Sequence, residues 1–199
     1  MGVLATSQKK TQITTPTKAR LKWQQELGNS LQEDSIWEQM FTSLYQVTND
    51  FQLKWLQMRI IHRILPTARL LHLYGVTDND TCSFCKCHVE TISHLFWYCR
   101  KVIVFWRDMT ASLMPSQRLS LVQVIMNTNP SGGDDDIYLL VILLAKQYIW
   151  RCRNLERNLC VYDFKRSVKA YYDIELFIAR AGDTVRELNK FWENVLLTL

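Results

Sequence analysis

At 199 residues, with 48% hydrophobic residues, 22% charged residues and a formal net charge of +5, the chain is long enough to bury a substantial core and too apolar to stay disordered. Its longest apolar run, Ile137 to Ala145, falls well short of the ~20 residues of a membrane span, so no transmembrane segment is expected. Six cysteines without a secretory signal pattern argue against a disulfide framework and for reduced thiols in an intracellular compartment, cytoplasm or nucleus.

Glycine and proline are scarce and long stretches lack turn signals, so the expected fold is all-α: an irregular multi-helix domain with an inserted CCHC motif. The division we expect is a disordered basic segment at 1–20, a helical segment at 21–80, the CCHC motif with its following helix at 81–110, and a C-terminal helical segment at 111–199.

The first segment carries Lys9, Lys10, Lys18 and Arg20, with no acid before Glu26. Met1 to Thr6 formally fits a pattern for lipidation at Gly2, but an arbitrary start to a fragment of a longer polyprotein is the preferred explanation. Leu21 to Leu27 reads as a short helix closed by Gly28. A second helix begins near Glu33-Asp34-Ser35 and carries Trp37, Met40, Phe41 and Leu44 at spacings of three and four. A third, capped by Thr48 or Asp50, must end by Pro66. One of its faces holds Leu53, Leu56, Ile60 and Ile64. Another holds Trp55, Arg59, His62 and Arg63, where a ring beside cations can stack on bases while the cations meet phosphates. An amphipathic helix whose long side chains cover a core edge is the competing explanation. Leu70, Leu71 and Leu73 are expected to pack inward before the turn at Gly75 and Asp78-Asn79-Asp80.

Four cysteines and two histidines follow between Cys82 and Cys99. Zinc takes thiolate sulfur and imidazole nitrogen in closed tetrahedral sites, and a C-x2-C pair lets one tight turn present two sulfurs to one ion. Cys82, Cys85, His94 and Cys99 form C-x2-C-x8-H-x4-C, the preferred zinc ligand set. Cys87 and His88 are rivals, disfavoured because Lys86 to Glu90 suits a turn back toward the later ligands. From Thr91 the chain reads helical. His94 and Cys99, five apart, would lie about 140° apart on an ideal helix, so both reach one ion only if Cys99 sits where that helix ends or bends.

Beyond the motif, Arg100 to Leu113 should be a helix facing a core with Val102, Phe105 and Trp106, stopped by Pro115. Leu119 to Met126 is a short apolar piece, and Asn127 to Asp136 a polar loop. Asp135 or Asp136 can cap a long helix from Ile137 to about Asn158 that is apolar on nearly every side at first and therefore buried. Toward its end Lys146, Trp150, Arg153 and Arg157 fall within about 60° of one another. That basic stripe with a tryptophan in it is a second candidate nucleic-acid contact; cations complementing a helix end explain Arg153 and Arg157 but not Trp150. Asp163 is expected to cap a final helix, bent at Ala181-Gly182 and resumed at Asp183, with Phe164, Tyr172, Phe177 and Trp192 among its inward residues.

Residues 81–110, with Glu90-Thr91 ahead of His94-Leu95-Phe96, then Cys99 and Phe105-Trp106, resemble the zinc-binding region that follows the polymerase domain in LINE-type (non-LTR) retrotransposon reverse transcriptases. Trp23, Leu27-Gly28, Trp37, Gln57 to Ile60 and Leu65-Pro66 upstream, and Ile142 to Lys146 with Trp150 to Cys152 downstream, extend the resemblance over roughly residues 21–199. It implies a non-catalytic part of a retrotransposon polyprotein that binds RNA, or DNA, together with other parts of that polyprotein. The middle spacing of eight departs from the four of the retroviral knuckle, which puts direct base readout in doubt. No Tyr-x-Asp-Asp stretch, phosphate-binding glycine loop or His-Glu-x-x-His is present, so neither catalysis nor a small-molecule substrate is expected. The alternative function is a zinc-stapled scaffold or protein-interaction domain that does not touch nucleic acid.

Overall fold

A computed structural model describes residues 17–31, 33–128 and 136–198. The disordered-segment reading over residues 1–16, the Gly2 reading and the cap at Asp135 lie outside these residues, whereas residues 18–20 of that segment are helical. No strand forms among the described residues; an isolated antiparallel bridge joins Thr81 to Val89. The fold is all-α, and no described helix is long and apolar enough to cross a membrane.

Helix α1 (Lys18–Leu27) starts three residues earlier than expected, because the Thr17 hydroxyl accepts the Arg20 amide. It stops at Gly28, whose φ of 77° a side chain would strain. A 3-10 turn (Gly28–Leu31) leads to α2 (Asp34–Val47), which buries Trp37, Met40, Leu44 and Val47. Asp50 caps α3 (Phe51–Ile61), its carboxylate accepting the Gln52 and Leu53 amides at 2.7 and 3.4 Å. This helix ends well before Pro66. Arg63 turns left-handed at φ 58° and the Ile64 amide reaches back to the Arg59 carbonyl. Ile64 is therefore exposed instead of continuing the inner face. In the short α4 (Ala68–Leu73), Leu73 likewise points outward, while Leu70 and Leu71 are half-buried.

After the cysteine-rich segment, α5 (Arg100–Leu113) buries Val102, Phe105 and Trp106, and α6 (Leu121–Met126) opens with a reciprocal capping box between Ser120 and Gln123. The central element is α7 (Asp136–Asn154), which packs against α2, α3, α8 (Val161–Gly182) and α9 (Val185–Leu196). It ends at Asn154 instead of continuing to Asn158, because Glu156 turns left-handed and the Arg157 amide bonds back to the Cys152 carbonyl. Asp183 is the left-handed end of α8, not the cap of α9, and Phe177 faces solvent.

One connected core runs from Trp23 to Val195. Its tryptophans bury ring area and still satisfy their N–H groups, with Trp23 donating to the Ile61 carbonyl, Trp37 to Leu31 and Trp106 to Phe96. Phe105, Tyr148 and Phe164 form a three-ring contact that joins α5, α7 and α8.

Lys146 sits in this core with no exposed surface, which corrects its expected place in a basic stripe. On a helix apolar all round, every direction leads inward. Its amine donates to Gln57 Oε1 at 2.5 Å and Asn127 Oδ1 at 3.1 Å, two acceptors that match the two hydrogens of a neutral amine. Burial holds its pKa well below the usual lysine range. Between that lowered value and about 10.4 the unfolded chain binds the additional proton, so this group's contribution to stability rises with pH and is lost as pH falls through the window. Unfolding free energy measured at successive pH values should therefore rise more steeply in the wild type than in Lys146→Met, by up to about 1.4 kcal/mol per pH unit. Parallel slopes would show that Lys146 stays protonated when buried.

Candidate metal centre and nucleic-acid face

The segment between α4 and α5 folds back on itself before it presents any ligand. The Glu90 amide donates to the Asp80 carbonyl and the Cys82 amide to the His88 carbonyl, both at 2.7 Å, closing the loop around the Thr81–Val89 bridge. Within it Lys86 is left-handed at φ 55°, which reverses the chain just after Cys85. A π-helical turn (His94–Tyr98) follows, in which the Cys99 amide donates to the His94 carbonyl at 2.8 Å. A turn closed five residues apart is wider than an α-turn. It brings Cys99 back toward the side of His94, removing the angular separation that an ideal helix would impose. Cys99 itself is extended and ends the turn.

The atoms of Cys82, Cys85, His94 and Cys99 that can ligate a metal all lie within 4.8 Å of one another. Zn–S bonds of about 2.3 Å and Zn–N bonds of about 2.0–2.1 Å at tetrahedral angles place neighbouring ligands roughly 3.6 to 3.8 Å apart. Here Cys85 Sγ and His94 Nε2 are 3.4 Å apart, and Cys82 and Cys99 Sγ 3.9 Å. Both separations are close to those of a tetrahedral ion, so the donor set suits one in kind and in spacing. All four side chains are buried, Cys82 and Cys99 completely. The hydrogen bond to Cys99, and then burial, push the Cys82 thiol up, while the same bond draws Cys99 down. Burial lowers His94, favouring the neutral imidazole a metal needs. Cys87 and His88 stand outside this set, exposed, with Cys87 Sγ 3.1 Å from His88 Nδ1.

Glu90 has no exposed surface. Its Oε1 accepts from the Ala68 amide at 2.8 Å and from Arg153 Nε and Nη2 at 3.0 and 2.7 Å, and its Oε2 accepts from the Ser83 amide at 3.1 Å. One carboxylate thus holds the start of α4, the first zinc turn and the last turn of α7. Sequence reasoning missed this role, since Arg153 is 63 residues away and nothing local marks the pair.

The candidate nucleic-acid residues are accordingly divided. Arg153 is turned inward onto Glu90, its guanidinium also 5.2 Å from the ring of the half-buried Trp150. With Lys146 in the core and Arg157 beyond the end of α7, the stripe does not form. Arg63 is also redirected. The left-handed turn takes it off the face of α3 and over the Trp23 ring at 4.0 Å, where it pairs with Glu26 at 2.7 Å. Glu26 in turn accepts from the Ser93 hydroxyl, tying α1 to the metal loop.

Trp55 remains exposed and Arg59 half-buried beside it, the guanidinium 5.1 Å from the Trp55 ring. Around them a groove of about 580 Å³ is lined by Tyr45, Phe51, Lys54, Met58, His62 and Ile64, with no acidic side chain. Tyr45 is 63%, Phe51 71% and Trp55 47% exposed, a concentration of aromatic surface unusual for solvent. Phe51 and Trp55 are 14° from parallel, and Lys54 Nζ lies 4.7 Å from the Tyr45 ring.

Residues 17–106 match a protein family described as zinc-binding in reverse transcriptase. The matched stretch contains the whole four-residue cluster and the α3 groove. That family is a zinc-binding domain and not the catalytic polymerase domain. No curated protein matches the chain.

Proposed function

We propose that the chain is a non-catalytic, zinc-binding module of a LINE-type reverse transcriptase polyprotein that binds single-stranded nucleic acid, RNA in the first instance, along α3. Cys82, Cys85, His94 and Cys99 hold Zn2+ as a structural ion: four protein ligands leave no open position for a substrate or an activated water. The observation that carries the nucleic-acid reading is the α3 groove, where exposed rings and cations occur together without an acid among them. Bases of any identity can stack on such rings while phosphates meet Lys54 and Arg59. The partner polyprotein segments follow from the resemblance in sequence, and an intracellular site of action from the reduced cysteines.

The scaffold reading has its own support, because Arg63, Lys146 and Arg153 are all used internally. Binding of a single-stranded RNA oligonucleotide across a salt series separates the two. Trp55→Ala should weaken binding by the roughly 1–3 kcal/mol of one stacked base, and Arg59→Gln should flatten the salt slope by about 0.7, one phosphate's share on a single strand. Neither residue is fully buried, so thermal unfolding should barely move. Unchanged affinity and slope in both variants would favour the scaffold.

A further inference from the structure

The exposed pair beside the zinc cluster belongs to a second group of converging ligands. Cys85 Sγ, Cys87 Sγ and His88 Nδ1 lie within 4.8 Å of one another, Cys85 being shared with the buried set. Cys85 Sγ is 3.8 Å and Cys87 Sγ 3.1 Å from His88 Nδ1, on either side of the roughly 3.6 Å that sulfur and nitrogen ligands of one tetrahedral zinc would show. The His88 and His94 rings are stacked with centroids 5.4 Å apart, so the two groups present their imidazoles side by side. The reversal at Lys86 creates this arrangement, bringing Cys87 and His88 back beside Cys85.

We infer that Cys85, Cys87 and His88 form a second, solvent-facing metal position for a thiophilic divalent ion such as Zn2+ or Cd2+. The Cys85 thiolate bridges the two ions, and water completes the outer one. Charge favours the pairing. Three thiolates and a neutral imidazole around one divalent ion leave a net charge of −1. A second divalent ion, with Cys87 giving its proton to solvent, brings the pair to neutrality, since four thiolates then face two dications. The outer ion keeps an open coordination position because Cys87 and His88 are exposed, so it binds more weakly and exchanges faster than the inner one.

This inference rests on the zinc reading of the four-ligand cluster, and metal stoichiometry distinguishes the failure of each. The full chain is titrated with Zn2+, and separately with Cd2+, and read by native mass spectrometry beside the cadmium–thiolate charge-transfer absorption. The expected result is two ions in the wild type and one in Cys87→Ser and in His88→Ala, with Cys160→Ser, which alters an exposed cysteine elsewhere, keeping two. One ion in the wild type at excess metal would overturn the second position and leave the first intact. Two ions retained in both Cys87→Ser and His88→Ala would overturn the ligand assignment. No ion in the wild type would remove the inner site and the outer one with it. Retention of the inner ion by the variants shows that they have folded.

Discussion

Cys82→Ser and His94→Ala are each expected to release zinc and to disorder residues 81–110, whereas Cys152→Ser and Cys160→Ser should leave the inner ion in place. The ligand cluster itself has little else at its centre to hold it, the clamps at Glu90 and Ser93 lying at its edge. Without metal its centre is three buried thiols and an imidazole, with Cys82 and Cys99 sharing a hydrogen bond and the Thr81–Val89 bridge the nearest approach to a sheet. Structural zinc contributes about 10–16 kcal/mol to the folding of finger peptides, comparable with the roughly 5–15 kcal/mol that stabilises a whole domain. Native mass spectrometry with amide exchange over the segment measures both effects. An unchanged number of bound ions in Cys82→Ser would exclude that cysteine as a ligand. Retention should also fall in acid, because the thiols must lose protons to bind zinc and protons compete for them.

The second large effect is at Glu90. Arg153→Met leaves a carboxylate with no exposed surface facing only two amides, and loss of one partner of a buried pair costs about 3–5 kcal/mol. In a chain of this length that corresponds to a melting temperature lower by roughly 10 °C. Glu90→Gln combined with Arg153→Met should recover part of the loss, since neither charge then remains. A double-mutant cycle on thermal unfolding is the measurement, and additive effects would show that the pair is not coupled. The same cycle bears on function. Weaker RNA binding in an Arg153 variant would reflect a loosened fold, so the readout of a surface contact must come from Arg59.

What was legible in the sequence was what is local. Apolar residues at three and four placed the helices, and the ligand candidates were legible because they all fall between Cys82 and Cys99, where spacing alone limits how they can meet. The demand that Cys99 sit at a bend was also legible, though not its form, since no residue pattern announces a hydrogen bond closed over five residues. Long-range polar pairing was not legible. Lys146 meets Gln57 and Asn127, 89 and 19 residues away, and its position on a helix apolar all round fits a stripe as well as a core. The left-handed turns at Arg63 and Glu156 were equally silent, because neither residue is the glycine or asparagine that normally marks one. Each turn ended a helix early and moved a basic residue off the face where periodicity had placed it.

The complete burial of Cys82 and Cys99 bears on time as well as affinity. A zinc ion behind those sulfurs cannot be withdrawn by a chelator that waits at the surface; it leaves when the loop opens, and its residence time then measures how often that happens. The loop is clamped at Glu90 by α7 and at Ser93 by α1. Anything that stiffens those clamps lengthens the life of an ion it never touches.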